Sequence, residues 1–217
     1  MIRHSKGCAV SDFGVKNMKQ KKFFSDLAVV TLSTAMIGAA TCCYVRAALG
    51  SDSVALFIEG LSMKAGFSLG TASWVLNIFL LTTAFLVNRK DLGWTTIYNS
   101  LLCGLFIDLA NWALDPILGL SNGLIFRWGL LLSGIALVAG GCALMMRNCP
   151  GMSVNDALSA GLARRLGCSF RVVRIGVDAV LMIAGVVMGG VIGVGTVVAV
   201  LGTGPLIQWF YQLGKKT

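Results

Sequence analysis

The sequence predicts an all-α, polytopic membrane protein, and three observations carry that prediction. Hydrophobic residues make up 56% of the chain and charged residues 12%, with a mean hydropathy of +0.82; soluble domains carry about 25% charge. Several apolar runs approach or exceed the ~20 residues that cross a bilayer. The basic residues behind the net charge of +9 gather between those runs, as the positive-inside rule requires. Anionic lipid headgroups account for that charge more simply than nucleic acid does, so the expected partner is the lipid bilayer.

Residues 1–24 are polar and basic, with Arg3, Lys6, Lys16, Lys19, Lys21 and Lys22 against Asp12. They read as a cytosolic tail, with Met1 or Met18 as the start. The apolar run 27–45 that follows exceeds the 7–15 residues or so of a signal-peptide core and lacks a small-x-small cleavage site, so it reads as a retained span. Further spans are expected at 69–87, 93–114, 124–146, 171–190 and 193–213. Six spans put both termini on one side. The tail, Arg89, Lys90, Arg147, Arg164, Arg165, Arg171, Arg174, Lys215 and Lys216 then face the cytosol, against Arg46, Lys64 and Arg127 opposite. The expected location is therefore the bacterial cytoplasmic membrane, with N- and C-termini inside.

Two connections, 51–67 and 152–168, are long enough to hold short helices of mixed polarity. Val154, Leu158, Leu162 and Leu166 form one stripe, with Arg164 and Arg165 off it. Length and amphipathicity fit a helix lying in the interface. The sharper alternative is a half-helix that enters the membrane and points free N–H groups into a cavity.

These two helices belong to a repeat. Arg46, Gly50, Gly60, Leu61, Gly66 and Ser68 recur about a hundred residues later as Arg147, Gly151, Gly161, Leu162, Gly167 and Ser169, and Asn77 falls on Asp178. The run from Cys103 to Asp108 answers the run from Thr203 to Gln208. The chain thus divides into a tail (1–24), a first membrane repeat (25–115), a second (124–213) and a short cytosolic end (214–217). Each repeat holds three spans and one short helix, and an odd number of spans turns the second copy upside down. Inverted repeats of this kind recur in secondary transporters, whose sites lie near the midplane.

The segment 193–211, GVGTVVAVLGTGPLIQWFY, carries glycines and a proline where a plain anchor would carry leucine. Gly104, Gly185, Gly189, Gly193, Gly195, Gly204 and Pro205 are expected at close helix contacts.

GLFID at 104–108, GVGT at 193–196 and GPLIQ at 204–208 resemble the YczE/YyaS/YitT type of bacterial membrane protein. The segments 49–70 and 149–171 are similar to its Leu-Gly-x-x-Pro-Trp-Asp…Gly-x-Ser-x-Gly pattern. Here Ser53-Val54-Ala55 stands where Pro-Trp-Asp is usual, and Val154-Asn155-Asp156 keeps only the aspartate. The resemblance implies an integral membrane protein related to transport, or accessory to secreted metabolite production; it supplies no substrate.

Ionisable groups inside a bilayer are costly and are functional candidates by default. Asp108 either hydrogen-bonds a neighbouring helix or Asn111, or binds a proton or cation. Arg174 and Asp178 are four residues apart and share a helix face. They form a self-neutralising pair, or Arg174 holds an anionic group and Asp178 orients it. With their repeat mates they outline a polar ring of Asn77, Asp108, Asp178 and Gln208 around a small polar or anionic solute.

Other chemistry is not indicated. The seven cysteines form no C-x-x-C pair and His4 is the single histidine, so neither a metal site nor a nucleophile–base set is expected. No P-loop is present, so no ATP and no other cofactor is implied. The expected function is a small transporter or permease, not an enzyme. The alternative is a non-transporting scaffold supporting another complex, and a homo-oligomer or a membrane-protein partner fits either.

Overall fold

The computed structural model describes residues 7–87, 92–118, 123–148 and 153–213. Arg89, Lys90, Cys149, Gly151, Lys215 and Lys216 lie outside them. The described residues form eight helices and no strand: α1 Gly7–Ala47, α2 Ser53–Ala65, α3 Leu69–Val87, α4 Trp94–Leu118, α5 Leu124–Asn148, α6 Val154–Leu166, α7 Phe170–Val187 and α8 Val194–Leu213. The part expected as a tail is helical from Gly7 and runs into the first apolar segment without a break.

Five helices contain stretches long and apolar enough to cross a membrane: Phe24–Ala47, Leu69–Val87, Trp94–Asp115, Leu124–Met146 and Val194–Leu213. The helix expected near 171–190 is present as α7, with Arg171, Arg174 and Asp178 in its eighteen residues. The exterior is apolar: Ile125 is 90% exposed, Trp112 78% and Val187 72%. A water-soluble monomer rarely exposes a continuous surface of this kind.

α1 is the central pillar, packed against α4 on one side and α5 on the other. Small residues let the backbones approach. A Cβ on Gly38 would meet the Phe106 backbone at 3.0 Å, and one on Gly141 would meet the Ser33 carbonyl at 3.0 Å. Polar groups also bridge the α1–α4 seam: Thr34 donates to Asn99 Oδ1 at 2.6 Å, and Arg46 reaches Asn111 and Asp115. α8 packs on the far side of α5. Two apolar clusters fill the interior. One centres on Ile58, Leu76, Leu80, Ile107 and Leu158, the other on Tyr44, Ala47, Leu131, Ile135 and Ala199.

The short helices exchange partners. α2 packs on α7 and α6 on α3, so each leans on the long helix that follows the other. Their ends are defined by local chemistry. Asp52 accepts from the Ala55 N–H at the start of α2, and Ser153 accepts from the Asp156 N–H at the start of α6; such caps satisfy otherwise orphaned donors. Burial runs along each axis. In α2 the buried residues are Ser53, Ala55, Leu56, Ile58, Glu59 and Gly60, while Met63 near its end is 64% exposed. In α6 burial extends from Val154 to Ala163, and Leu166 is 65% exposed. In both helices the N-terminal end is held in the bundle and the C-terminal end reaches its surface.

The expected glycine contacts divide. Gly185 lies against the Leu56–Phe57 backbone, with a Cβ placed 2.9 Å from it. Gly193 and Gly195 lie on the Leu49 carbonyl, and Gly104 lies on Gly70 and Trp74. Gly195 N–H donates to Leu49 O at 2.8 Å, tying the first turn of α8 to the α1–α2 connection. Gly189 and Gly204 do not pack: a Cβ on either would meet nothing within 4 Å. Gly189 is required instead for its φ of 105°, which turns the chain out of α7. Pro205 lies inside α8 and is exposed.

Candidate functional site at the buried ends of the two short helices

The buried N-termini of α2 and α6 meet at the middle of α7. Asp178 lies at the midpoint of that eighteen-residue helix, about 13 Å from either end at ~1.5 Å per residue. Its Oδ1 accepts from Ser53 Oγ of α2 at 2.7 Å and from Asn155 Nδ2 of α6 at 3.2 Å. Its Oδ2 accepts from Arg174 Nε at 2.9 Å, and Arg174 also pairs through Nη1 with Asp156 of α6. Three helices are thus joined at one carboxylate.

The local sequence explains the arrangement. Arg174 and Asp178 stand one turn apart on α7. Ser53, Asn155 and Asp156 occupy the first turns of α2 and α6, where unpaired N–H groups leave a partial positive charge. A carboxylate is the group that such ends attract. Asp52, the cap of α2, lies beside Ser53 and is held by the Ala55 N–H at 2.8 Å.

Exposure singles out the cluster. Ser53 and Asn155 are 6% and 5% exposed. The side chains of Arg174, Asp156 and Asp178 keep 33%, 33% and 31%. Polar atoms set in a buried wall therefore surround charged groups that remain reachable. Asn155 Oδ1 is buried with no hydrogen-bond partner. By contrast, an open groove beside α1, lined by Leu27, Thr31, Ala35 and Phe106, is almost wholly apolar and offers no charge to bind.

The expected ring of Asn77, Asp108, Asp178 and Gln208 does not converge. Asp108 caps α3: it accepts from the Gly70 N–H at 2.8 Å through Oδ1 and from Ser68 Oγ at 2.8 Å through Oδ2. Ser68 follows the far end of α2 from Ser53, so the thirteen residues of that helix separate the two carboxylates by about 20 Å. Asn77 donates to Ser73 Oγ at 3.2 Å, one turn back on α3. Gln208 is exposed on α8. Asp108 and Gln208 match in sequence, but only Asp108 faces a helix terminus. The Arg174–Asp178 pair forms as its spacing suggests, and it recruits Asp156, which the spacing did not reveal. The available signal was the likeness in position of the lead-in segments at 53–55 and 154–156.

A family of unknown function, DUF6198, matches residues 24–212. The chain belongs to this family. Two relatives of the DUF6198 chain are similar over most of their length. An uncharacterised protein of Haemophilus influenzae is 26% identical over 194 residues, covering 88% of this chain and 85% of the relative. The uncharacterised membrane protein YczE of Bacillus subtilis is 26% identical over 162 residues, covering 75% and 74%. The resemblance to the YczE type read from GLFID, GVGT and GPLIQ is thereby borne out, and the chain is a membrane protein. No solved structure matches it.

Proposed function

We propose that this DUF6198 protein is a small permease for a small polar or anionic solute, built from two inverted three-span units in the bacterial cytoplasmic membrane. α7 is the sixth span, its charges neutralised by one another and by α6, and both termini face the cytosol. The observation that carries the reading is the meeting of two inserted short helices at a polar cluster halfway along α7. Discontinuous helices whose N-terminal ends point at a midplane site are a recurring device of secondary transporters. The repeated order of span, short helix, span and span supports the inversion, as does the exchange of α2 and α6 between halves.

The chain does no chemistry of its own in this reading. Arg174 and Asp178 supply the binding and coupling charges, and rocking of one unit against the other alternates access. Uptake of a panel of labelled small acids, amides and amines into proteoliposomes tests it. Flux that vanishes in Asp178→Asn supports the proposal; no flux for any solute removes it.

A further inference from the structure

We propose that Arg164, Arg165 and Arg171 form a binding site for an anionic phospholipid. The arginines hold its phosphate, and its acyl chains lie on the apolar side chains beside them. This site is on the outer surface of the bundle, and neither the α2–α6–α7 cluster nor transport enters into it.

The C-terminal end of α6 reaches the surface, and every residue from Arg164 to Val172 is exposed. Three arginines fall in that run, and no acidic residue lies between Asp156 and Asp178. Gly167, with φ of 65°, turns the chain from α6 into α7, which packs against it. Arg171, in the first turn of α7, thus lies at the same end of the bundle as Arg164 and Arg165.

Arg165 fixes the depth of the patch. Its Nη2 donates to Leu86 O at 3.2 Å, one residue before the end of the span-length stretch Leu69–Val87. The guanidinium is therefore tied to the edge of an apolar span, the level at which headgroups begin. A guanidinium carries its N–H donors in a planar fork that matches phosphate oxygens, and the bond to Leu86 engages one of them.

The surroundings choose a lipid over a free anion. Leu86 of α3, Leu166 of α6 and Phe170 of α7 are all exposed next to the arginines. Cationic heads at the rim of an apolar wall match a molecule with an anionic head and hydrocarbon tails, whereas inorganic phosphate would leave the wall unused. The end of α2 offers a contrast. It too has exposed apolar groups, Met63 and Phe67, but Lys64 is the one basic residue of its last turn. Basic clusters between helices are the places where anionic headgroups dock, and a lone ammonium is a point charge without the fork.

Lipid binding to the detergent-purified full chain is measured by native mass spectrometry. Phosphatidylglycerol and phosphatidylcholine with identical acyl chains are the probes. Wild type is expected to hold phosphatidylglycerol about tenfold more tightly, as basic residues against an anionic headgroup should. Arg164→Gln combined with Arg171→Gln should remove most of that preference while keeping the Arg165–Leu86 bond. Lys64→Gln should leave it intact. If the double variant fails to fold, Arg171→Gln alone should still reduce the preference by about threefold. Equal binding of the two lipids by wild type overturns the proposal. So does a preference that survives loss of the arginines, or one that Lys64→Gln lowers as much, since either makes it a property of overall charge. Inorganic phosphate is added last at millimolar concentration: lipid retained on wild type upholds the site, and lipid displaced by phosphate overturns its assignment to lipid.

Discussion

Gly66 and Gly167 close α2 and α6 in the same left-handed conformation, with φ of 70° and 65°, and each donates its N–H to a carbonyl of the last turn, Ser62 O and Ala163 O. A Cβ at either position would meet nothing within 4 Å. The requirement for glycine is therefore purely one of backbone conformation.

Gly66→Ala and Gly167→Ala should each destabilise the protein by about 1–2 kcal/mol, the cost of a left-handed non-glycine residue. Gly66→Asn should recover part of that loss, since asparagine tolerates the conformation. Thermal unfolding in detergent, followed by circular dichroism, measures both. Equal stability of the alanine and glycine forms would refute the argument.

Gly185 and Gly176 make a sharper pair. Both lie in α7, but Gly185 touches the α2 backbone, whereas Gly176 faces open space. Gly185→Ala must push α2 away and should lower the melting temperature. Gly176→Ala should be neutral or stabilising by up to about 1 kcal/mol, because it only removes the entropy cost of helical glycine. Comparing the two melting curves checks the α2–α7 contact directly.

Asp108 should behave as a cap and not as a coupling acid. Asp108→Asn keeps an oxygen for the Gly70 N–H and should retain near wild-type stability and any measured flux. Asp108→Ala leaves the start of α3 uncapped and should cost about 0.5–2 kcal/mol. If the asparagine form loses flux while remaining as stable as wild type, Asp108 has a second role.

Much of the architecture was legible in the amino-acid order because it is written locally. Runs of apolar residues marked the long helices to within a few positions, except that α1 begins at Gly7, well before its apolar run. The length and mixed polarity of 51–67 and 152–168 marked the short ones, and the structure adds their caps at Asp52 and Ser153. The fate of the short helices was not legible. An amphipathic stripe such as Val154, Leu158 and Leu162 looks the same whether it faces lipid headgroups or the α3 surface. The contacts of α6 with α3, and the burial of its N-terminal end, come from the tertiary structure. The same limit applied to Gly189 and Gly204, whose spacing matched packed glycines although one serves a turn and the other faces outward.

By itself the sequence determined that this is a helical membrane protein, since hydropathy and turn chemistry act over a few neighbouring residues. The tertiary structure alone decided which polar groups meet. Ser53 finds Asp178 across 125 residues, and Asp108 finds Gly70 across 38. Such pairings follow from the way helices cross, and short-range patterns hold no record of the crossing.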